Sequence, residues 1–182
     1  SKMKYILIIL LMFLVSIAVS SQTDRLAKFL PRGYTFLDSA KGDLNQDGLN
    51  DVLLILKSTV ESNDTATLRP LLILHGQRDG SLKLVERNDN IVLCYSCGGV
   101  FGDPYSGIAI KNNYFSIEHF GGSSTRWTRI ITFKYNMKTK EYLLHKDAGV
   151  SYDVSDPGKT EPQSYNEEGW NKMKFKDYSG GY

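Results

Sequence analysis

Apolar and polar residues alternate with a period of two through much of the chain, the spacing that sends successive side chains to opposite faces of a strand. The run Val52-Leu53-Leu54-Ile55-Leu56 is instead apolar throughout, as in a strand covered on both faces. Residues 33–37, 68–75, 81–87, 91–93, 108–111, 114–120, 127–135 and 141–146 are alternating, β-branched or rich in aromatics, and predict further strands. Asp79-Gly80, Asn112-Asn113 and Gly121-Gly122-Ser123-Ser124 supply turn chemistry between them. Within 127–135, Trp127, Arg129, Ile131, Phe133 and Tyr135 share one face. Lys172 and Lys174 alternate with Met173 and Phe175, predicting a final edge strand over 170–175. The polar stretch 147–169, with Pro157 and Pro162, reads as a long surface loop. A helical pattern occurs once, over 23–30. There Leu26, Phe29 and Leu30 fall on one face, Thr23 or Asp24 can cap the start and Pro31 stops the helix. The expected fold is mainly β: an antiparallel sandwich or strongly bent sheet of short strands with one N-terminal helix.

The first residues change the picture. Lys2 and Lys4 precede an apolar run over 5–15 and small residues up to Ser21, the pattern of a secretory signal peptide removed near Ser20. The rival is a membrane anchor, because the uncharged run 5–21 meets the lower limit of roughly 17 residues for a spanning helix. The small residues at its end favour cleavage, leaving residues 21–182 as a single exported domain, periplasmic or secreted, with no membrane segment. Removing 1–20 takes away Lys2 and Lys4 and no acid, so 20 basic residues face 20 acidic ones. A neutral domain has no excess charge to hold phosphate backbones, which argues against nucleic-acid binding.

The sharpest chemistry lies in Asp43-Leu44-Asn45-Gln46-Asp47-Gly48-Leu49-Asn50-Asp51. Oxygen-bearing side chains stand at positions 1, 3, 5 and 9, with glycine at position 6. A hard cation such as Ca²⁺ takes about 6–8 oxygen ligands. Asp43, Asn45 and Asp47 can converge on it from one side of a tight turn, Asp51 can close the site, and Gly48 permits the bend that lets the Leu49 carbonyl face the ion. A helix–loop–helix calcium hand needs a glutamate at position 12, and Leu54 stands there. The stretch 42–55 resembles the calcium loop of FG-GAP and VCBS repeats, found in integrin-like propellers and many secreted bacterial proteins. That resemblance implies a calcium-binding loop between β-elements and implies no activity. A full propeller needs typically 4–8 blades of four strands, and no second such loop is present. The alternative is a metal-free turn, because Asp, Asn and Gly also make turns through their own backbone hydrogen bonds.

Two further features carry candidate chemistry. Cys94-Tyr95-Ser96-Cys97 fits a local disulfide shaping the glycine-rich loop 98–107. It also fits a redox pair, which needs a helix N-terminus behind the first cysteine, or a zinc half-site, which needs two more ligands. Free buried thiols are the remaining reading. The hairpin 121–129 sets Arg126, Trp127 and Arg129 beside a glycine-serine turn. With Tyr105 from 98–107, these are the candidate ligand-binding residues, since arginine and aromatics are frequent anchors. The structural reading of the hairpin is a cross-strand pair of Glu118 with Arg126 or Arg129. No nucleophile–base constellation is visible, and Glu118 and His119, adjacent on a strand, point to opposite faces. The sequence therefore predicts an exported, calcium-stabilised binding or inhibitor-type domain acting on an extracytoplasmic protein or glycan. The competing class is an extracytoplasmic enzyme, either a thiol–disulfide oxidoreductase using Cys94 and Cys97 or a hydrolase.

Overall fold

The computed structural model describes residues 25–62 and 66–180. The signal segment expected over 1–20 lies outside them. The chain divides into two units, 1–32 and 33–182. In the first, the expected helix is visible only as a turn over 25–27. Phe29 N–H and Leu30 N–H reach back three residues, to Leu26 O and Ala27 O, as the turn tightens before Pro31.

The second unit is a β-sandwich of two antiparallel meanders. The first sheet holds β1 (Tyr34–Gly42), β2 (Asp51–Ser58), β3 (Arg69–Gly76) and β4 (Leu82–Val92), paired in that order. The second holds β5 (Tyr105–Lys111), β6 (Tyr114–Gly122), β7 (Thr125–Asn136), β8 (Glu141–Asp153) and β9 (Thr160–Ser164). Every connection within a sheet joins neighbours, so the hairpin turns read from the sequence set most of the topology.

The core lies between the sheets. Leu53, Ile55, Leu71 and Ile73 face Phe115, Ile117, Ile131, Phe133, Tyr142 and Leu144. Register explains the selection: Leu53 pairs with Ile73 and Ile55 with Leu71, so these four share one face of the first sheet. The intervening Val52, Leu54, Leu72 and Leu74 are buried too, as the unbroken apolar run of β2 requires. Phe115 and Phe133 stack with centroids 5.4 Å apart, and Phe175 and Tyr178 meet Phe133 edge-on at 5.3 and 5.7 Å.

Two expectations are corrected at the C-terminal end. The stretch 147–169 is not one loop. β8 runs on to Asp153 because β7 offers it partners as far as Thr125, and β9 returns against it. Residues 170–175 do not form an edge strand. Asn171 N–H donates to Leu144 O and Leu144 N–H to Met173 O, but Asn166 and Asn171 take positive φ, turning the chain into 3₁₀ turns at Glu167–Gly169 and Phe175–Asp177. Phe175 is thereby aimed into the core, with Asn88 Nδ2 donating to Phe175 O at 2.6 Å and Tyr178 O at 2.8 Å. Along β4, the runs 81–87 and 91–93 join into one strand.

Candidate functional site

The acidic loop occupies the β1–β2 hairpin, with Gly42 paired to Asp51 at its neck. Its oxygens collect its own N–H groups. Asp43 Oδ1 accepts Asp47 N–H at 3.1 Å, Asp43 Oδ2 accepts Gly48 N–H at 3.0 Å, and Asn45 Oδ1 accepts Asp47 N–H at 3.0 Å. Asp47 Oδ1 accepts Leu49 N–H at 2.8 Å. Gly48 adopts φ 85°, the left-handed backbone its position demands. Three anchors tie this turn to the sandwich. Leu44 is fully buried in the core cluster. The Asn45 amide lies 3.4 Å from His75 Nδ1, and His75 Nε2 lies 2.8 Å from the Tyr142 hydroxyl on the other sheet. Asp51, fully buried, accepts Leu44 N–H and Asn45 N–H on Oδ2 and Gly76 N–H on Oδ1. Burial raises the Asp51 pKa, and those backbone donors oppose the rise.

Among the described residues, no three His, Cys, Asp or Glu side chains gather closely enough to hold a metal ion by themselves. The donors suit a hard cation in a narrower way. Each oxygen of Asp43 and Asp47, and the Asn45 carbonyl, accepts one hydrogen bond in the loop and keeps a second lone pair. Asp43, Asn45, Asp47 and the Leu49 carbonyl are thus the residues that fit an ion, whereas Asp51 is engaged in holding the loop. An open cleft of about 640 Å³ adjoins, lined among others by Asp47, Leu49, Arg78 and Lys83.

The two glycine loops, separate in sequence, form one surface. Gly99 and Gly122 bridge in parallel, Val100 N–H donates to Gly122 O, and Phe120 N–H donates to Pro104 O. A Cβ at Gly99 would stand 2.7 Å from Gly122 O, and one at Gly121 would stand 2.5 Å from the Trp127 ring and 2.9 Å from Gly98 O. Only glycine lets these backbones approach so closely. Cys94 and Cys97 are joined, their Cα atoms 5.2 Å apart, across the 3₁₀ turn Tyr95–Gly98. A single such turn lacks the helix dipole that would stabilise a thiolate.

Beneath the loop sits a buried arginine that the sequence reading passed over as the start of a strand. Arg69 Nε and Nη2 donate to Glu61 at 2.6 and 2.9 Å, and Nη1 and Nη2 to Asp103 at 2.7 and 2.8 Å. Its Nη1 also reaches Leu93 O, next to Cys94. Burial pulls the Arg69 pKa down, but Asp103 and Glu61 more than reverse this and hold it above its ordinary value. One signal was available: Arg69 is two residues from Leu71, on the face that continues into the core, and an arginine there must be paired. Beside it, His119 is buried, and its Nε2 accepts Leu93 N–H at 3.2 Å. Burial, aided by Arg129 and Arg69, pushes its pKa down to about 4.

The four candidate ligand-binding residues divide. Arg126 lies 4.2 Å above the Phe101 ring, which packs on Phe120. Its Nη1 is out of solvent with no hydrogen-bond partner. Trp127 is half-buried against Gly121 and supports the loop. Tyr105 is half-buried and donates its hydroxyl to Asp38 Oδ2 at 2.8 Å; burial and that carboxylate raise its pKa. Arg129 is no surface anchor. It is buried, it donates to both Asp147 oxygens at 2.8 Å, and Tyr178 and Gly180 O close the same network. Nor does Glu118 pair with Arg126 or Arg129: it is exposed opposite Ile130, and Arg129 stands opposite His119. The exposed tip consists of Val100 and Phe101, 72% and 46% accessible, residues not singled out within 98–107.

For the hydrolase alternative, His75 meets Asn45 and Tyr142, His119 meets Leu93 N–H, and His145 meets Asn171. None of these partners is a serine, threonine or cysteine. No helix among the described residues is long and apolar enough to cross a membrane. The chain matches no protein-family model, no curated protein and no solved structure.

Proposed function

We propose that this is an exported, extracytoplasmic binding domain that engages another protein through the paired glycine loops, and that the 43–51 loop holds a structural Ca²⁺. The observation carrying the binding role is the exposed Val100-Phe101 tip. It is held rigid from below by the disulfide, the Arg69 ion pairs and the Gly99–Gly122 bridge. An apolar tip backed by an arginine donor without a partner has the composition of an interface anchor, and rigidity lowers the entropic cost of binding. In this reading Asp43, Asn45, Asp47 and the Leu49 carbonyl would hold the ion, which would offset the repulsion of the neighbouring carboxylates. In this reading the domain's task is recognition.

A photo-crosslinking residue placed at Val100 tests the reading in cells. It is expected to trap one defined extracytoplasmic partner, lost on Arg126→Ala, while the same probe at Lys138, in the β7–β8 turn, traps nothing. Equal labelling from both positions would overturn the assignment of this surface.

A further inference from the structure

The order of the first sheet leaves β4 at its edge, and among the described residues no strand pairs with its side away from β3. At eleven residues it is long for an edge, and near its start it is apolar and open: Leu84 and Val85 are 45% and 36% accessible. The Phe175–Asp177 turn covers β4 at Asn88, but Lys83–Val85 stay exposed, and an open stretch of edge is a template for another strand. We propose that β4 is a self-association site, at which two copies of this chain pair antiparallel about Leu84 and Val85 so that Lys83 of each copy faces Glu86 of the other.

The register follows from a bulge. Ile73 pairs with Glu86 and Leu74 with Leu84, so Val85 is an extra residue. Residues three apart on a regular strand lie on opposite faces. Here the extra residue brings Lys83, opposite His75, onto the same face as Glu86, opposite Ile73. A twofold axis perpendicular to a sheet preserves its faces, so it can juxtapose only residues that share one. Lys83 and Glu86 now meet that condition, and the axis repeats their attraction twice. Shifting by one residue sets Lys83 against Val85 or Arg87, losing the pair or adding repulsion. Bulges often protect edges by twisting them. This one falls at the axis in both copies, where the extra Val85 of each faces Leu84 of the other and the ladders stay in step.

A second observation points the same way. Glu86 Oε2 is out of solvent without a hydrogen-bond partner. Lys174 and Lys176 lie within electrostatic reach of Glu86, as do Glu141 and Asp177, but Lys174 is already engaged at Glu141. Arg87 is engaged by Asp89 at 2.7 Å. Turned outward, the half-buried Glu86 carboxylate meets a lysine ammonium from across the axis, which supplies the missing donor.

Sedimentation velocity of the purified full chain over a concentration series decides. Wild type is expected to form a dimer, and Lys83→Glu or Glu86→Lys to weaken it about tenfold or more by setting like charges opposite. The double exchange, Lys83→Glu with Glu86→Lys, is expected to restore it. Lys83 is exposed, so its reversal leaves the fold intact, and the circular-dichroism melt of that variant verifies this. A wild type that stays monomeric, association indifferent to either single reversal, or failure of the double exchange to recover dimer would each overturn the pairing.

Discussion

The acidic loop at the β1–β2 hairpin and the glycine-loop surface are built on opposite plans. The first is held largely by groups within nine residues of one another: Asp43, Asn45 and Asp47 bind N–H groups two to five positions away. The second is held by groups far apart in sequence. Arg69 reaches Glu61 eight residues back and Asp103 thirty-four residues on, and Gly99 meets Gly122. A locally closed turn can retain its shape when its surroundings loosen. A surface assembled from three distant segments fails as a unit, because each contact fixes the geometry of the next.

The largest expected effect exploits that difference. Arg69→Ala leaves Glu61 and Asp103 facing each other without their shared cation, and breaking a buried pair in this way costs about 3–5 kcal/mol. Urea denaturation is expected to show the loss, and crosslinking from Val100 to vanish with it. The acidic loop's resonances in an NMR spectrum stay in place below the transition. If Arg69→Ala melts like wild type, the glycine-loop surface does not depend on this clamp.

The same contrast decides what could be read in advance. The acidic loop announces itself because its chemistry is contiguous, and β2 was visible because apolar runs need cover. Gly98, Gly99, Gly121 and Gly122 each look like ordinary turn residues, and nothing local says that two turns will touch. β9 escaped for another reason: Thr160, Glu161, Pro162 and Ser164 are exposed, so no buried face marks the strand. Residues 172–175 misled because alternating lysine and apolar side chains satisfy a period of two, whereas the positive φ at Asn171 turns the chain before the one bridge at Lys174 and the Phe175–Asp177 turn ends it straight after.

Acid should separate the two regions further. His119 has an ordinary pKa of about 6.5 unfolded and is pushed down to about 4 in the fold by burial, then by Arg129 and Arg69, with Asp103 and Asp147 opposing. Between these values the unfolded chain takes up a proton that the folded chain refuses, so stability falls as pH drops from about 6.5 through about 4. The contribution is up to about 3 kcal/mol, at 1.36 kcal/mol per pH unit. Protonation also removes the acceptor for Leu93 N–H, beside the disulfide. Chemical denaturation at a series of pH values should show this slope, and His119→Gln should flatten it even if its stability at neutral pH is lower. An unchanged slope in His119→Gln assigns the acid sensitivity to other groups.

The smallest effect bears on the acidic loop itself and separates its two kinds of carboxylate. If Asp47 holds Ca²⁺, an ion binding only the folded state at 100 times its dissociation constant stabilises the chain by about 2.7 kcal/mol. Wild type should then melt higher in calcium than in chelator. Asp47→Ala should melt alike in both, about 1 kcal/mol below chelated wild type for the lost Leu49 N–H acceptor. Asp51→Asn should behave differently, because both Asp51 oxygens are engaged by Leu44, Asn45 and Gly76 N–H groups. It should lower the melt in calcium and in chelator by the same amount, leaving the calcium gain intact. If Asp51→Asn abolishes that gain, Asp51 is itself a ligand and the loop closes around the ion from both sides. If wild type is indifferent to calcium and chelator alike, the nine residues are a turn that its own N–H groups complete.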